Sequence, residues 1–363
     1  MRRAHAALLG LLLSFAALAA EQPAAQVPAV VDPRYLLQFP RDYGSHPQFR
    51  IEWWYLTGWL TTTQHQRLGF QITFFRSRPS LDDSNPSAFT PHQILIAHCA
   101  ISDPAHSGLW HDQRVRRAGM GLAEAQQSDT RIWIDDWSLE RRDGIYLARV
   151  RAQDFALDLT LVATQPLMLN GVNGFSQKGP PALAAPAASY YYSQPHLRVS
   201  GSVTRNARND AVSGEAWLDH EWSSDYLDPL AAGWDWIGLN LDDGGAVMAF
   251  RIRDRQGQTY WSAGTVREPQ GQTRILAADA IDFSPQRRWR SPHTAVTYPI
   301  SWLVRVGARQ FELEPLLDDQ ENDTRASSGA IYWEGAVSAV EDQRPVGRGY
   351  LELTGYDQPL SLH

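Results

Sequence analysis

Short runs of β-branched and aromatic residues recur along this whole chain, and they constrain its fold more than any other feature. Residues 93–101, 214–222 and 331–337 are examples. Turn-forming sequences such as Asp242-Asp243-Gly244-Gly245 separate the runs. Long amphipathic helical patterns are scarce, and 114–127 is the best helix candidate. Many evenly spaced short strands predict an all-β protein built from barrels or sandwiches.

Two internal similarities indicate that the chain has two related halves. Residues 53–58 and 234–238 are both aromatic segments that lead into an apolar run ending in Phe-Arg. Residues 214–219 (Gly-Glu-Ala-Trp-Leu-Asp) likewise resemble 347–352 (Gly-Arg-Gly-Tyr-Leu-Glu). The first and last strands of a barrel must pair to remove its edges. We therefore predict two domains, at 35–224 and 225–358, which also suits a chain too long for one core.

The first residues have the layout of a secretory signal. Arg2 and Arg3 precede the apolar run 6–20, and Ala17-Leu18-Ala19 fits the cleavage pattern. We predict a signal peptide over 1–19 and a periplasmic mature protein. No second long apolar stretch follows, so we expect no integral membrane segment after signal removal.

The charge balance and the cysteine usage exclude several classes of protein. Without the predicted signal, the chain has 40 acidic and 31 basic residues, a formal charge of −9. That excess argues against a nucleic-acid partner. Cys99 is the only cysteine and lies in an apolar run, so we expect a buried core residue and no internal disulfide.

Three consecutive ionisable side chains, Asp219, His220 and Glu221, interrupt an aromatic stretch and are the candidate catalytic residues. In a strand, Asp219 and Glu221 share one face with Trp217, whereas His220 points to the other face. Buried carboxylates are costly unless they are hydrogen-bonded or functional. The alternative is structural: these acids, like Glu52 and Glu334 beside other Trp residues, would each hold an Arg between strands.

The remaining patterns give no cofactor or metal signal. The histidines show no metal-binding spacing, and no nucleophile elbow, phosphate loop or dinucleotide fingerprint appears. We therefore predict neither a metal nor a cofactor. Residues 80–91 and 178–189 have loop compositions, and the second contains Lys178, the only lysine.

Several long motifs resemble the carotenoid 1,2-hydratase (hydroxyneurosporene synthase) and AttH-like family. They are Glu-Trp-Trp-Tyr-Leu-Thr-Gly at 52–58, Tyr-Tyr-Tyr-Ser at 190–193, Trp-Leu-Asp-His-Glu-Trp-Ser-Ser at 217–224, Gly-Trp-Asp-Trp at 233–236 and Tyr-Trp-Glu-Gly at 332–335. The resemblance extends over about 39–356. It implies two lipocalin-like (calycin) antiparallel β-barrel domains in tandem, and relatives that hydrate isoprenoid double bonds or guide cyclisations without a cofactor.

The resemblance also implies roles for particular residues. Alkene hydration needs a strong acid to protonate the double bond and a base to steer water onto the resulting cation. Asp219 is the first choice for the acid, with Glu221 or His220 positioning the water. Aromatic faces stabilise a carbocation, and the candidate ligand-binding residues are Trp54, Tyr191, Trp217, Trp234 and Trp236.

Three functions remain open from the sequence. The leading hypothesis is an exported protein that binds an extended apolar small molecule, a lipid or isoprenoid, at a barrel mouth. The second is a cofactor-independent hydro-lyase of the carotenoid 1,2-hydratase type, and the third is a pair of carbohydrate-binding modules that present exposed Trp platforms. The sequence does not decide whether the chain is an enzyme or whether it associates with an export system.

Overall fold

A computed structural model describes residues 27–79, 90–106, 108–180 and 187–360. These residues form β-strands and two short 3-10 helices, Arg41–Tyr43 and Ala278–Ala280. The predicted all-β fold class is confirmed. The predicted signal peptide and most of the predicted loop at 80–91 lie outside the described residues. No helix in the described part of the chain is long and apolar enough to cross a membrane.

The expected helix at 114–127 is wrong. Its residues belong to two strands separated by a turn in which Gly119, Met120 and Gly121 all have positive φ values. Those values lie in the left-handed region, which a right-handed helix does not enter. The first of the two strands lies at a sheet edge and is largely solvent-accessible, so its polar residues carry no apolar alternation that would have identified it as a strand.

The first sheet is antiparallel and nearly closes into a barrel. Its strands are β1 Ile51–Thr62, β2 Arg67–Ser77, β3 Ile94–Ser102, β4 Trp110–Arg117, β5 Ala123–Ala125, β6 Arg131–Ile134, β7 Trp137–Arg142, β8 Ile145–Arg151, β9 Phe155–Ala163, β10 Met168–Leu169, β11 Phe175–Gln177, β12 Ala188–Arg205 and β13 Arg208–Ser223. Their central order is β4-β3-β2-β1-β13-β12-β9-β8-β7-β6-β5, with β10 and β11 paired to β12. Arg114 on β4 reaches the other end of the sheet and donates a hydrogen bond to the Ile134 carbonyl on β6, at 3.3 Å.

The second sheet repeats this plan. The strands of this half are β14 Ala231–Leu241, β15 Ala246–Asp254, β16 Thr259–Arg267, β17 Thr273–Leu276, β18 Ile281–Pro285, β19 Arg288–Arg290, β20 Thr297–Pro299, β21 Trp302–Val306, β22 Arg309–Pro315, β23 Glu321–Thr324, β24 Ala330–Glu341 and β25 Arg344–Leu353. The order in the sheet is β17-β16-β15-β14-β25-β24-β22-β21-β18, with β23 paired to β24, and β19 and β20 form a separate ribbon.

The pairing of first and last strands underlies the similarity between the two halves. Strand β1 pairs with β13 in the first sheet, and β14 pairs with β25 in the second. Two tandem antiparallel barrels are therefore confirmed. The exact domain limits of 35–224 and 225–358 stay a prediction.

Four apolar clusters stabilise the described part of the chain: two fill the barrel interiors, a third joins the sheets, and a smaller one includes Tyr192 and Trp222. One face of each sheet forms the interior of its own barrel, which is filled by side chains such as Leu56 and Leu218 in the first and Ile237 and Leu351 in the second. Cys99 is fully buried in the first interior, as expected. The third cluster, which includes Tyr55, Trp217 and Trp236 from the opposite faces, joins the two sheets. Each such side chain contributes about 1.5–3 kcal/mol through burial.

Candidate active site between the two sheets

A cavity of about 400 Å³ lies between the facing sides of the two sheets. This position differs from the expected barrel mouth, because the interior of each barrel is already packed with core side chains. Aromatic and carboxylic side chains from both sheets line the cavity. From the first sheet they are Trp53, Tyr55, Tyr191, Asp219 and Glu221; from the second they are Trp234, Trp236, Phe250, Tyr332, Glu334 and Glu352.

Strand β13 delivers two carboxyl groups to the cavity and a histidine to the barrel interior. Asp219 lies opposite Tyr55 on β1, and Glu221 lies opposite Trp53, so alternate residues face the cavity. His220 points the other way, as the period of two predicted. Its Nε2 lies 2.9 Å from Glu52 Oε1 and its Nδ1 lies 3.0 Å from the Tyr192 hydroxyl. The structure therefore brings Asp219 and Glu221 to one site and separates His220 from them.

Asp219 is enclosed by three hydrogen-bond donors. The Tyr191 hydroxyl donates to Oδ2 at 2.5 Å, and the Ser193 hydroxyl and Trp217 Nε1 donate to Oδ1 at 2.5 and 2.6 Å. Burial raises the pKa of Asp219 to about 7, against the effect of these donors. The side chain can therefore carry a proton at neutral pH and release it within the cavity, the property required of a general acid.

Glu221 forms a buried ion pair with Lys178. The distance between Lys178 Nζ and Glu221 Oε1 is 2.6 Å, and Ser189 also donates to this carboxylate. Rings of Tyr191, Tyr226 and Phe250 surround the ammonium, with centroids 4.2–5.0 Å away. Burial raises the pKa of Glu221 and lowers the pKa of Lys178. The pair is therefore held in a dry, aromatic part of the cavity wall.

The second sheet contributes two further acids. Glu334 on β24 lies directly opposite Glu352 on β25, and Trp234 Nε1 donates to Glu352 Oε2 at 3.1 Å. Burial raises the pKa of Glu352 to about 7. Burial, assisted by the charge of Glu352, raises the pKa of Glu334 well above its usual range.

The idea that Glu52 and Glu334 each hold an Arg is correct for one of them only. Glu52 Oε2 lies 2.7 Å from Arg76 Nε inside the first barrel. Glu334 faces the cavity instead. In the second sheet, Arg251 forms an ion pair with Asp235, with 2.6 Å between Arg251 Nε and Asp235 Oδ2. The carboxylate of Glu334 lies on the alternation that faces the other sheet, so it cannot reach the barrel interior where these Arg residues lie.

The five predicted ligand-binding aromatics have three different positions. Tyr191, Trp234 and Trp236 line the cavity, and Trp236 Nε1 donates to the Tyr191 hydroxyl at 2.9 Å. Trp217 contacts Asp219 from outside the main cavity and lines a smaller polar cleft. Trp54 lies inside the first barrel, stacked on the His220 ring with centroids 4.5 Å apart. A ligand in the cavity would thus contact the first three residues and neither Trp217 nor Trp54.

Among the described residues, one group of side chains, His46, Glu52 and His220, brings potential metal-ligating atoms within 4.8 Å of one another. Both ring nitrogens of His220 and of His46 and both Glu52 oxygens are already engaged in hydrogen bonds. Their partners lie within this cluster or are Asp42, Arg76 and Tyr192. Burial would raise the pKa of Glu52, but Arg76 and His46 hold it well below its usual range. These contacts account for the cluster without a metal ion, and the expectation of no metal stays a prediction.

Sequence reasoning did not assign Glu352, Tyr55 or Tyr226 to a site, and it treated Lys178 mainly as a loop residue. One signal was present: the similarity between 214–219 and 347–352 aligns Asp219 with Glu352. Both residues lie on the closing strands of their sheets and face the same cavity. The repeat therefore places an acid on each wall.

Comparisons with known proteins agree with this architecture. The AttH-like family model matches residues 30–356. A candidate AttH from Nitrosomonas europaea is 51% identical, with 90% of this chain and 99% of that chain covered and a TM-score of 0.84. No curated protein matches this chain.

Two more distant solved structures share the fold alone. Kievitone hydratase from Nectria haematococca is 16% identical, with 89% of this chain and 94% of that chain covered and a TM-score of 0.67. CghA with Sch210972 is 11% identical, with coverages of 86% and 89% and a TM-score of 0.51.

Proposed function

This chain belongs to the AttH-like family, as its motifs predicted, and from that premise we propose that it binds an extended apolar small molecule between its two sheets and adds water to it or removes water from it. The volume supports this proposal, because about 400 Å³ lies within the range of roughly 300–1,000 Å³ that is typical of small-molecule pockets. The aromatic walls suit a lipid or an isoprenoid. One distant structural relative is itself named a hydratase.

The observation that carries the proposal is the environment of Asp219. This carboxyl is 3% exposed, lines an aromatic cavity and has a pKa raised to about 7 by burial. A general acid works best when its pKa lies near the working pH. A cavity used only for storage would not need an acid in this state, so the geometry favours chemistry over simple carriage.

In the hydration direction, Asp219 gives its proton to one carbon of a double bond, and the π electrons form the new C–H bond. Positive charge develops on the other carbon, where aromatic side chains of the cavity wall, such as Trp236, can stabilise it. Water attacks that carbon and loses a proton to a carboxylate on the cavity wall. The reverse sequence removes water from a tertiary alcohol.

The first test is native mass spectrometry of protein purified from its own cells, followed by organic extraction and identification of any retained molecule. Its conversion is then compared for the wild type, Asp219→Asn and the exposed control Asp136→Asn, whose side chain is 60% exposed. We expect Asp219→Asn to retain the ligand and lose turnover, while Asp136→Asn behaves like the wild type. Full turnover in Asp219→Asn would contradict the assignment of the acid.

Carriage without turnover is the second candidate function, and the volume and the aromatic side chains of the cavity support it. The same experiment separates the two, because a carrier would retain its ligand and convert it in neither protein. The third hypothesis, a pair of carbohydrate-binding modules, finds less support. Trp217 and Trp236 are buried between the sheets and form no exposed platform.

Export remains part of the proposal on sequence grounds alone. Arg2, Arg3 and the apolar run that follows motivate a periplasmic location. Cell fractionation with an antibody against the mature protein tests it. Recovery of the protein in the cytoplasmic fraction at its full precursor mass would contradict it.

A further inference from the structure

The two acids of the second sheet, Glu334 and Glu352, have fewer polar partners than Asp219 and Glu221. Glu334 and Glu352 lie directly opposite each other on neighbouring antiparallel strands, and both are buried. Side chains in such a pair are close enough to interact strongly. Among the described residues, neither carboxyl forms an ion pair; the hydrogen bond from Trp234 Nε1 reaches only Glu352. Two such carboxyls cannot both ionise cheaply, so they share a proton.

Two polar atoms beside this pair lack a hydrogen bond of normal geometry among the described residues, although the Tyr55 side chain is near enough to that of Glu334 to act against the rise in its pKa. They are Glu334 Oε1 and the hydroxyl of Tyr55, which projects from the opposite sheet. Tyr55 is 6% exposed and Glu334 is 2% exposed. Buried polar atoms in folded proteins nearly always have a partner. A donor and an acceptor that face one cavity from opposite walls, without a normal hydrogen bond between them, are placed to bind one ligand group together.

We propose that Glu334, Glu352 and Tyr55 form a subsite for a hydroxyl group, and that this subsite selects neutral, oxygen-bearing apolar ligands such as alcohols over carboxylic acids. A hydroxyl both donates and accepts, so one group satisfies the open Glu334 oxygen and the Tyr55 hydroxyl together. The inference rests on the proposed function, since it names the class of molecule that the cavity binds.

The charges around the cavity support the exclusion of acids. Asp219, Glu221, Glu334 and Glu352 face the cavity, and the one lysine ammonium, that of Lys178, is already paired with Glu221. Glu52 and Arg76 of the first barrel, which also border the cavity, form an ion pair with each other. A ligand carboxylate at the subsite would be repelled by the neighbouring acids, because the two cations that line the cavity, Lys178 and Arg76, already form ion pairs with Glu221 and Glu52.

The same subsite explains where the water of the reaction is held. In hydration, the water oxygen bonds to the cationic carbon, and its proton passes to the carboxylate of the Glu334–Glu352 pair. Asp219 has then lost one proton and the pair has gained one, so the total is unchanged. In dehydration the pair returns that proton to the departing hydroxyl, and Asp219 recovers its own from carbon.

Three probes with the same carbon chain length test the inference: geraniol, geranic acid and the hydrocarbon myrcene. Binding is measured at neutral pH by quenching of tryptophan fluorescence and by calorimetry. We expect geraniol to bind at least about tenfold more tightly than geranic acid, and myrcene to bind with intermediate affinity. Equal or tighter binding of geranic acid would overturn the subsite while leaving the proposed function intact. Failure of all three probes would overturn both.

Substitutions at the subsite test which side chains produce the preference for geraniol over geranic acid. Glu334→Gln and Glu352→Gln together remove the repelling charge, so geranic acid should gain affinity and the preference for geraniol should shrink several-fold. Tyr55→Phe, which changes no charge, should weaken geraniol alone. Glu124→Gln, on an exposed position of the first sheet, is the control and should leave all three affinities unchanged. An unchanged preference in both Tyr55→Phe and the Glu variants would overturn the assignment; if the Glu variants do not fold, the wild-type series and Tyr55→Phe still decide it.

Discussion

Replacing Lys178 by Met would remove the cation that faces Glu221 and leave that carboxylate buried. Both side chains of the pair are nearly inaccessible, with 1% and 4% of their surface exposed, and their N–O distance is 2.6 Å. Removing one partner of a buried ion pair destabilises a protein by about 3–5 kcal/mol, because the other charge stays unpaired. We expect Lys178→Met to lower the free energy of unfolding by this amount at neutral pH.

The double variant Lys178→Met/Glu221→Gln leaves no unpaired charge. Replacing both members of a buried pair by neutral groups of similar volume is often nearly neutral, so its cost should be about 1 kcal/mol or less. The two single variants and the double variant therefore define a coupling energy of about 3 kcal/mol.

A surface pair with the same geometry provides the matched control. Arg142 Nη2 and Glu140 Oε2 are also 2.6 Å apart, but 62% of the Arg142 side chain is exposed. Exposed pairs contribute about 0–1 kcal/mol. Urea unfolding, monitored by tryptophan fluorescence, measures the free energies of unfolding from which the coupling energy of each pair is calculated. A coupling at Lys178–Glu221 no larger than that at Arg142–Glu140 would refute the reasoning that this part of the cavity wall is dry.

Three further predictions concern Asp219 and His220. Because Asp219 must be protonated to act and its pKa is raised to about 7, the rate of turnover should fall about tenfold per pH unit above about pH 7; a rate that rises above this pH would contradict the acid role. The raised pKa of Asp219 also means that its contribution to stability is fully present below its unfolded pKa of 3.8 and is lost up to about pH 7. The stability of Asp219→Asn relative to the wild type should therefore grow by about 1.4 kcal/mol per pH unit across that window and then level off, as measured by urea unfolding; a constant difference would contradict it. His220→Gln should lower the free energy of unfolding by about 1–3 kcal/mol, because it disturbs the hydrogen bond with buried Glu52. Ligand affinity should be unchanged. A loss of affinity at unchanged stability would place His220 in the site.

Much of the fold follows from local sequence patterns. Turn chemistry and strand periodicity predicted the all-β class, and the similarity of residues 214–219 to 347–352 predicted two barrels whose closing strands pair with their opening strands. The region 114–127 was missed because an exposed edge strand needs no apolar alternation. Its glycines mark a turn, which helical periodicity alone does not reveal.

The site was only partly predictable, for a physical reason. The period of two placed Asp219 and Glu221 on one face of β13 and His220 on the other, because alternation is a local property of a strand. Which of the two faces borders a ligand cavity depends on how the barrels pack, and that is a tertiary property. Hence Trp54, on the interior face, was grouped with Trp236, and Glu352 was left without a role although the repeat aligned it with Asp219.

A crystal structure of the protein with its retained apolar ligand is the most direct test of the central claim, that the working cavity lies between the two sheets and is served by Asp219. We predict ligand density between the sheets, with a reactive carbon in contact with the Asp219 carboxyl and an oxygen near Glu334 and Tyr55. A ligand found inside either barrel, or between the sheets but out of reach of Asp219, would contradict the account.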